Sequence, residues 1–239
     1  MRVSYEPLAG TITASEQAAG YEAANLGNER VARQWRSTTT GTVTVDIDLG
    51  VAVLVETLHV HGTNCASIAV AQDTVTPPAQ AAGTIVTAVH EPTGRRAGRI
   101  YLGVTARYIR LTFAGTPTDG AAYWWAGAIH LFSRVLTLPR GPALGATLTA
   151  THPRASKRLP NGRTVTWTTG EPYVQLRGRI IGIEDLAAQQ AIREAKTGLV
   201  LIDTESRQDM VWPMRQYQAD ATLTIGEADE LSLNLFEAA

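Results

Sequence analysis

The chain has a single cysteine, Cys65, among its 239 residues. This count excludes an internal disulfide and a metal site built from several thiolates, and it fits a protein that folds in a reducing cytosol. Lysine is also rare, because Lys157 and Lys196 are the only two, whereas arginine is abundant. Lys and Arg total 21 against 22 Asp and Glu, so the net charge is −1. No overall field therefore attracts nucleic acid or an anionic membrane.

Long apolar runs are missing as well. Residues 1–9 contain no apolar segment of the kind found in signal peptides, and no run in the chain approaches the length that crosses a bilayer. We therefore expect a protein that carries no evident export signal and does not insert into a membrane.

Catalytic motifs are absent too. The chain has no Gly-x-Ser-x-Gly, no His-Glu-x-x-His and no phosphate-binding glycine loop that ends in Lys-Ser/Thr. Asp46 and Asp48 share one face of a predicted strand, which would suit a glycosidase only if a second face approached them. We expect these carboxylates to be solvated. The sequence thus predicts no catalytic residue and no cofactor.

The histidines and the cysteine give no metal signal. His59 and His61 lie two residues apart on a predicted strand, as two metal ligands could, but no third ligand follows at a telling spacing. We interpret them as an outward pair, and no metal is predicted. His90, His130 and His152 are interpreted as isolated structural or surface residues. Cys65 is interpreted as a small buried thiol, since free cysteine is usually buried.

Alternating apolar and polar residues are the strongest pattern that is present. They predict half-buried strands at Thr42–Leu49, which Gly50 is expected to end, and at Ala106–Phe113. A turn is predicted at Glu91–Gly98. Further strands are predicted at Val53–Val60, Ser67–Ala71, Thr84–His90, Arg99–Val104 and Ala126–Leu136. Short strands at this spacing favour a sandwich or jelly roll over a parallel α/β sheet.

Five short motifs follow one another in a familiar order within residues 10–135. They are Asn25–Leu26, Trp35–Ser37, Ile47–Gly50, Ala106–Leu111 and Ala128–Phe132. Their order and spacing resemble the discoidin (coagulation factor type C, galactose-binding-like) jelly roll. The resemblance implies a binding module rather than an enzyme, with Trp35 in the core. The chain lacks the cysteine pair of many secreted members, and Gly-Asn-Glu-Arg at 27–30 replaces a common Asp-rich turn, which speaks against bound calcium.

The second half of the chain has a different pattern. Residues 138–145 contain two prolines and two glycines and predict a linker. Beyond them several strand patterns surround one amphipathic helix, Glu184–Lys196. This order is similar to small β-barrel modules of tailed-phage tail and baseplate proteins. The basic residues near 154–163 are interpreted as solvated or as forming intersubunit salt bridges, rather than as binding nucleic acid.

The predicted fold is therefore mainly β. We expect an N-terminal jelly-roll β-sandwich over residues 1–137, a linker at 138–145, and a smaller C-terminal β-barrel or sandwich module over 146–239 with the one α-helix at 184–196.

The candidate ligand or interface residues are Tyr123, Trp124, Trp125, Arg95 and Arg96. Three consecutive aromatic rings cannot all point inward, so at least one should be exposed or covered by a partner. Such rings suit a ligand platform or a subunit contact. The alternative is a loop that folds back over the edge of its own sandwich. Arg95 and Arg96 lie in the predicted turn.

The interpretation that the sequence favours is a non-enzymatic component of a tailed-phage tail tip or baseplate, a distal or minor tail protein. It would be located in the virion tail after assembly in the host cytoplasm. Its partners would be other copies of itself in a ring, other tail or baseplate proteins, and in one variant of this hypothesis a host-surface glycan. The alternative is a carbohydrate-binding module or lectin-like protein without catalysis. An enzyme that uses Asp46 and Asp48 is the least favoured hypothesis.

Overall fold

The structure is a computed structural model, and it describes residues 2–28, 33–90, 95–137, 147–151, 154–158, 163–168, 173–181, 199–203, 211–216 and 230–237. These residues are mainly β-strand, with one short 3-10 helix at Ala23–Gly27. The nine strands up to residue 137 are β1 (Arg2–Leu8), β2 (Thr11–Ala14), β3 (Trp35–Arg36), β4 (Val43–Thr63), β5 (Ser67–Asp73), β6 (Gln80–Val86), β7 (Ala88–His90), β8 (Arg95–Phe113) and β9 (Trp125–Thr137). The later strands are β10 (Thr147–Thr151), β11 (Arg154–Arg158), β12 (Thr164–Thr168), β13 (Tyr173–Ile181), β14 (Leu199–Asp203), β15 (Val211–Gln216) and β16 (Glu230–Glu237).

Fourteen of these strands form one antiparallel sheet within the described part of the chain. Its order is β10-β13-β16-β15-β14-β1-β9-β4-β8-β5-β6. Three further strands lie outside this order: β2 pairs with β4, β3 with β9, and β7 with β8. Strands β11 and β12 form a separate two-stranded sheet. The predicted mainly β fold class is confirmed.

The two longest strands, β4 and β8, pair along most of their 21 and 19 residues. Their register shifts between Asp48 and Val53 and again between Val55 and Thr57. Gly50 and Gly103 lie near these shifts with φ of 79° and 60°, a conformation that glycine adopts at little cost. Gly50 therefore does not end its strand as predicted, because the chain passes through an irregularity and continues as β4.

The predicted turn at Glu91–Gly98 is wrong for its second half. Residues 95–98 begin β8, which continues without a break through both strands predicted at Arg99–Val104 and Ala106–Phe113. Pairing with β4 and β7 keeps residues 95–98 extended.

One hydrophobic core receives side chains from both halves of β4. Its aromatic centre is Trp35, Phe113 and Trp124, with ring centroids 5.2 Å apart for Trp35–Phe113 and 6.5 Å apart for Phe113–Trp124. All three side chains are fully buried. The predicted core position of Trp35 is confirmed.

Strand β1 was not predicted from the sequence. It pairs with β9 on one side and with β14 on the other, so strands of both predicted modules share one sheet. The predicted linker at 138–145 and the predicted helix Glu184–Lys196 lie outside the described residues, and the domain division stays a prediction. No helix in the described part of the chain is long and apolar enough to span a bilayer.

Candidate functional site

Three consecutive aromatic residues lead into β9, which begins at Trp125, and they differ in burial. Trp124 is fully buried, and its indole Nε1 donates a hydrogen bond to the carbonyl of Gly41 at 2.9 Å. Tyr123 and Trp125 are only partly buried. Only the middle ring is fully buried, so the prediction that not all three rings can point inward is confirmed.

An arginine lies beside the two outward rings. Strands β3 and β9 pair Arg36 with Trp125 directly, and opposite residues in such a pair place their side chains on the same face. The Arg36 guanidinium carbon lies 3.9 Å from the ring centroid of Tyr21 and 5.2 Å from that of Tyr123. The guanidinium thus contacts two aromatic rings, a favourable cation–π arrangement.

A carboxylate completes the group. The Trp125 indole Nε1 donates to Oδ2 of Asp119 at 2.8 Å. Burial raises the pKa of Asp119, but hydrogen bonds from Trp125, Ala121 and Asn64 outweigh it, so the pKa lies below the ordinary 3.8. Asp119 is therefore ionised at neutral pH and fixes one edge of the indole. We refer to Tyr21, Arg36, Asp119, Tyr123 and Trp125 as the aromatic patch.

Asn64, just after β4, holds the loop that carries this patch. The residue is 1% exposed. Its Nδ2 donates to Oδ1 of Asp119 at 3.0 Å and to the carbonyl of Tyr123 at 2.9 Å. Its Oδ1 accepts from the backbone N–H of Trp125 at 3.0 Å. One buried amide therefore positions three members of the aromatic patch.

Sequence reasoning missed four of these residues: Tyr21, Arg36, Asn64 and Asp119. Arg36 belongs to the Trp35–Ser37 motif, but the sequence analysis predicted a location only for Trp35. Asn64 reaches Trp125 from 61 positions away and Tyr21 contacts Arg36, whereas Asp119 is only six residues from Trp125; no sequence pattern marks any of the three.

Of the two predicted arginine candidates, Arg96 lies outside the aromatic patch. Arg96 donates from Nε to the Thr87 hydroxyl at 2.9 Å and from Nη2 to the Thr87 carbonyl. The sheet order also separates it from the patch, because Thr63 of β4 lies between Arg96 on β8 and Ala126 on β9. Only the backbone of Arg95 is described. A ligand role for Arg95 and Arg96 stays a prediction.

The histidines differ from their predicted positions. His59 and His61 are buried, at 0% and 2% exposed, so the interpretation as an outward pair is wrong. His130 is not isolated, because it pairs with His59 across β4 and β9 and their rings stack at 6.1 Å. Burial lowers the pKa of His130 to about 4. In the described residues no group of three or more His, Cys, Asp or Glu side chains is placed to hold a metal ion.

Cys65 is buried, as predicted. Burial raises the pKa of its thiol above the ordinary 9.0, which disfavours the reactive thiolate at neutral pH.

The two strand carboxylates form ion pairs rather than a catalytic pair. Arg110 donates to both oxygens of Asp46 at 2.6 and 2.7 Å, and Arg107 donates to both oxygens of Asp48 at 2.9 and 3.1 Å. The hydrogen bond from Arg107 and a backbone N–H of Gly50 hold the pKa of Asp48 below its ordinary value. A glycosidase general acid needs a raised pKa, so this site does not fit that chemistry.

A cavity of about 260 Å³ opens beside the β1–β2 connection. Apolar side chains dominate its lining, including Leu8, Ile12, Ile47 and Ile129, with His130 as a polar residue. Binding sites combine apolar walls with several convergent polar groups, and among the residues that line this cavity only His130 has a polar side chain.

No family model matches the chain, and no curated protein matches it. Among solved structures, it is similar to chitosan-binding module 1 from a chitosanase/glucanase of Paenibacillus sp. IK-5, with 20% identity over 54% of this chain and 99% of that chain, at a TM-score of 0.43. A second is CBM32-3 from a family 31 glycoside hydrolase of Clostridium perfringens, with 15% identity over 52% of this chain and 91% of that chain, at a TM-score of 0.44. A third is the lectin binding domain of lectinolysin, with 13% identity over 55% of this chain and 99% of that chain, at a TM-score of 0.45.

Proposed function

We propose that this chain is a non-catalytic glycan-binding protein whose site is the aromatic patch. The observation that carries the proposal is the position of Arg36 against Tyr21 and Tyr123, directly across from Trp125. A sugar has an apolar C–H face and a polar rim of hydroxyls. Tyrosine and tryptophan rings suit the face because they are large and amphipathic, and flanking charged groups can hydrogen-bond the rim.

Pre-organisation supports the same proposal. Trp125 is fixed at its indole edge by Asp119 and at its backbone by Asn64. A ring that is already fixed loses little freedom when a ligand binds, and weak ligands such as sugars depend on that saving.

The charges of the patch favour a neutral sugar. Arg36 carries one positive charge and Asp119 one negative charge, so the described patch has no net charge. Hydroxyl groups can accept from the first and donate to the second, whereas an anionic or cationic ligand would be repelled by one of the two.

The direct test is binding of the purified chain to a panel of neutral and charged polysaccharides, measured by affinity electrophoresis and calorimetry. We expect binding to a neutral glycan, and we expect Trp125→Ala and Tyr123→Ala each to weaken it about tenfold or more, as loss of an aromatic anchor does. Tyr108→Ala is the matched control, because this half-buried tyrosine also contacts an arginine, with 4.8 Å from the Arg107 guanidinium carbon to its ring centroid, but lies outside the patch.

Two results would contradict the proposal. The first is a wild-type chain that binds no glycan in the panel. The second is an affinity that stays unchanged in both patch variants while circular dichroism shows them folded. If Tyr108→Ala weakened binding as much as Trp125→Ala, the site would lie elsewhere on the sheet.

The tail or baseplate role predicted from the sequence stays a prediction, and so does the virion location. A glycan site is compatible with it, since contact with a host-surface glycan belongs to that hypothesis. Immunogold labelling of particles with an antibody to this chain would test that location separately.

A further inference from the structure

A short part of strand β4 bulges away from its partner strand. The register between β4 and β8 shifts between Asp48 and Val53, so that residues 49–52 of β4 stand opposite a single residue of β8. Val51 is 65% exposed, the highest value for a large apolar side chain in the part of the chain that the structure describes. Residues 49–55 contain no polar side chain. We call residues 49–52 the apolar bulge, and its exposed valine is a side chain that water disfavours.

Hydrogen bonds hold the apolar bulge in one conformation. Oδ1 of Asp48 accepts from the backbone N–H of Gly50 at 2.8 Å, and the same carboxylate forms a bidentate ion pair with Arg107. Gly50 has a φ of 79°, which glycine adopts at little cost. Because the segment is already fixed, it loses little freedom when it docks on a partner.

The cavity beside the β1–β2 connection lies next to the apolar bulge. Gly10 lines this cavity, and a methyl group placed on it would lie 3.0 Å from the carbonyl oxygen of Asp48 and 3.2 Å from Cδ2 of Leu49. Gly10 therefore packs against the base of the bulge. The bulge and the cavity are neighbours on the surface of one molecule.

The size of the cavity suits a single apolar side chain. Its volume of about 260 Å³ is below the roughly 300–1,000 Å³ of ordinary small-molecule pockets. An apolar cavity of about 150 Å³ already holds benzene, which is larger than the side chain of valine. Leu8, Ile12 and Leu131 supply apolar walls against which such a side chain can pack.

We propose that the chain forms a twofold dimer in which Val51 of each copy enters the cavity of the other copy. The occupant is a second copy because the chain itself supplies both an apolar projection and an apolar cavity that accommodates it. Since the two lie side by side, a twofold axis brings each bulge to the opposite cavity at the same time. Asp48 and Arg107 at the base of the bulge neutralise each other, so this ion pair opposes no contact.

The two reciprocal contacts close the assembly at a dimer. Such a pair would not by itself build the ring expected from the sequence, which would need a second interface. The dimer also does not depend on the glycan site, because neither Val51 nor the cavity belongs to the aromatic patch.

The experiment measures self-association of the full chain by sedimentation velocity, at protein concentrations up to about 1 mM. We expect a reversible dimer with a Kd on the order of 100 µM, because a small interface gives a weak complex. Raising the salt from about 50 mM to about 500 mM should not weaken it, because salt screens charges and not apolar contacts.

Val51→Glu should weaken dimerisation about tenfold or more, because it would place a charge in an apolar cavity. Val86→Glu is the matched control, since Val86 is 62% exposed on β6 at the edge of the sheet and the change in charge is the same. This control should dimerise like the wild type.

A second variant tests the cavity rather than the bulge. A methyl group on Gly27, another lining residue, would lie 3.5 Å from Cδ1 of Ile12, an ordinary contact. Gly27→Leu should therefore fold and fill the cavity, and we expect it also to weaken dimerisation about tenfold or more. Circular dichroism and thermal unfolding verify the fold of each variant.

A chain that stays monomeric at every concentration would overturn the proposal. Dimers that are equally strong in Val51→Glu or in folded Gly27→Leu would overturn it as well, and so would equal weakening by Val86→Glu. Oligomers that grow beyond two copies would contradict the reciprocal pair. A further arm adds benzene to the chain. A monomeric chain that binds benzene, with binding lost in Gly27→Leu, would assign the cavity to a small apolar ligand instead.

Discussion

The two halves of strand β4 have the same alternation but different surroundings. In the first half, Val43–Leu49, apolar side chains enter the core while Asp46 and Asp48 face outward and pair with arginines of β8. In the second half, residues 57–63 are buried on both faces. Leu58 and Val60 belong to the core there, and His59 and His61 occupy the opposite, equally buried face. The alternating pattern of a strand therefore predicts which side chains share a face, but it does not predict whether the second face is exposed to solvent.

The two halves also handle polar groups differently. Outward carboxylates of the first half keep partial contact with water and are neutralised by bidentate arginines. In the second half the hydroxyls of Thr57 and Ser4 bond to each other at 2.9 Å in a buried position. His130, opposite His59, is buried, and desolvation lowers its pKa to about 4.

The largest expected difference between the halves is in the response to acid. The folded pKa of His130, about 4, lies below the ordinary 6.5. The unfolded chain therefore takes up a proton first as the pH falls, and stability is lost between about pH 6.5 and pH 4. The loss from this one group amounts to about 3 kcal/mol. Urea unfolding at a series of pH values measures it.

His130→Leu is the variant that isolates this effect, because it removes the titrating ring and keeps an apolar side chain. We expect a flatter dependence of the unfolding free energy on pH above pH 4. An unchanged pH slope in His130→Leu would show that His130 does not resist protonation in the folded chain. Asp48 affects stability in a separate pH range. Because its pKa is lowered, its contribution to the free energy of unfolding is present above pH 3.8 and is lost below it.

A smaller loss of stability is expected where the second half of β4 ends. Asn64→Ala removes a buried amide that makes three hydrogen bonds to the loop of the aromatic patch. The unfolding free energy should fall by about 2 kcal/mol, and glycan binding should weaken with it. Asn25→Ala is the matched control, because within the described part of the chain the Asn25 side chain makes a single hydrogen bond, 3.1 Å to the carbonyl of Gln34. Equal losses in the two variants would contradict the positioning role of Asn64.

The smallest effect belongs to the first half of β4. A double-mutant cycle with Asp46→Ala and Arg110→Ala should give a coupling of at most about 1 kcal/mol, because both side chains are partly exposed and screened. Chemical denaturation of the four proteins measures it. Neither substitution should change glycan binding. A coupling of several kcal/mol would mean that this ion pair behaves as a buried one, and the contrast between the halves would fail.

Local patterns predict only part of this fold. The alternation at Thr42–Leu49 correctly predicts that Val43, Val45 and Ile47 are buried, because every second side chain of a strand points to the same face. The same logic is wrong for His59 and His61, because the second face is covered through contacts that no nearby residue encodes. Strand β1 is missed for a similar reason: Glu6 interrupts it at a φ of 57°, and Pro7 follows.

The candidate site is likewise only half visible in the sequence. Tyr123-Trp124-Trp125 is noticed because three large rings in a row are hard to bury. Arg36 and Asp119 become part of the site through pairing of β3 with β9 and through the amide of Asn64. Such long-range contacts depend on the folded topology, so the aromatic anchors can be predicted while the polar residues around them cannot.

The position of β1 has a practical consequence for anyone who shortens this chain. Removing the first eight residues would open one edge of two strands at once, β9 along residues 131–137 and β14 along residues 201–203, while β14 keeps β15 on its other side. Newly opened strand edges invite aggregation. Even a short truncation at the amino terminus should therefore lower the solubility of the protein strongly.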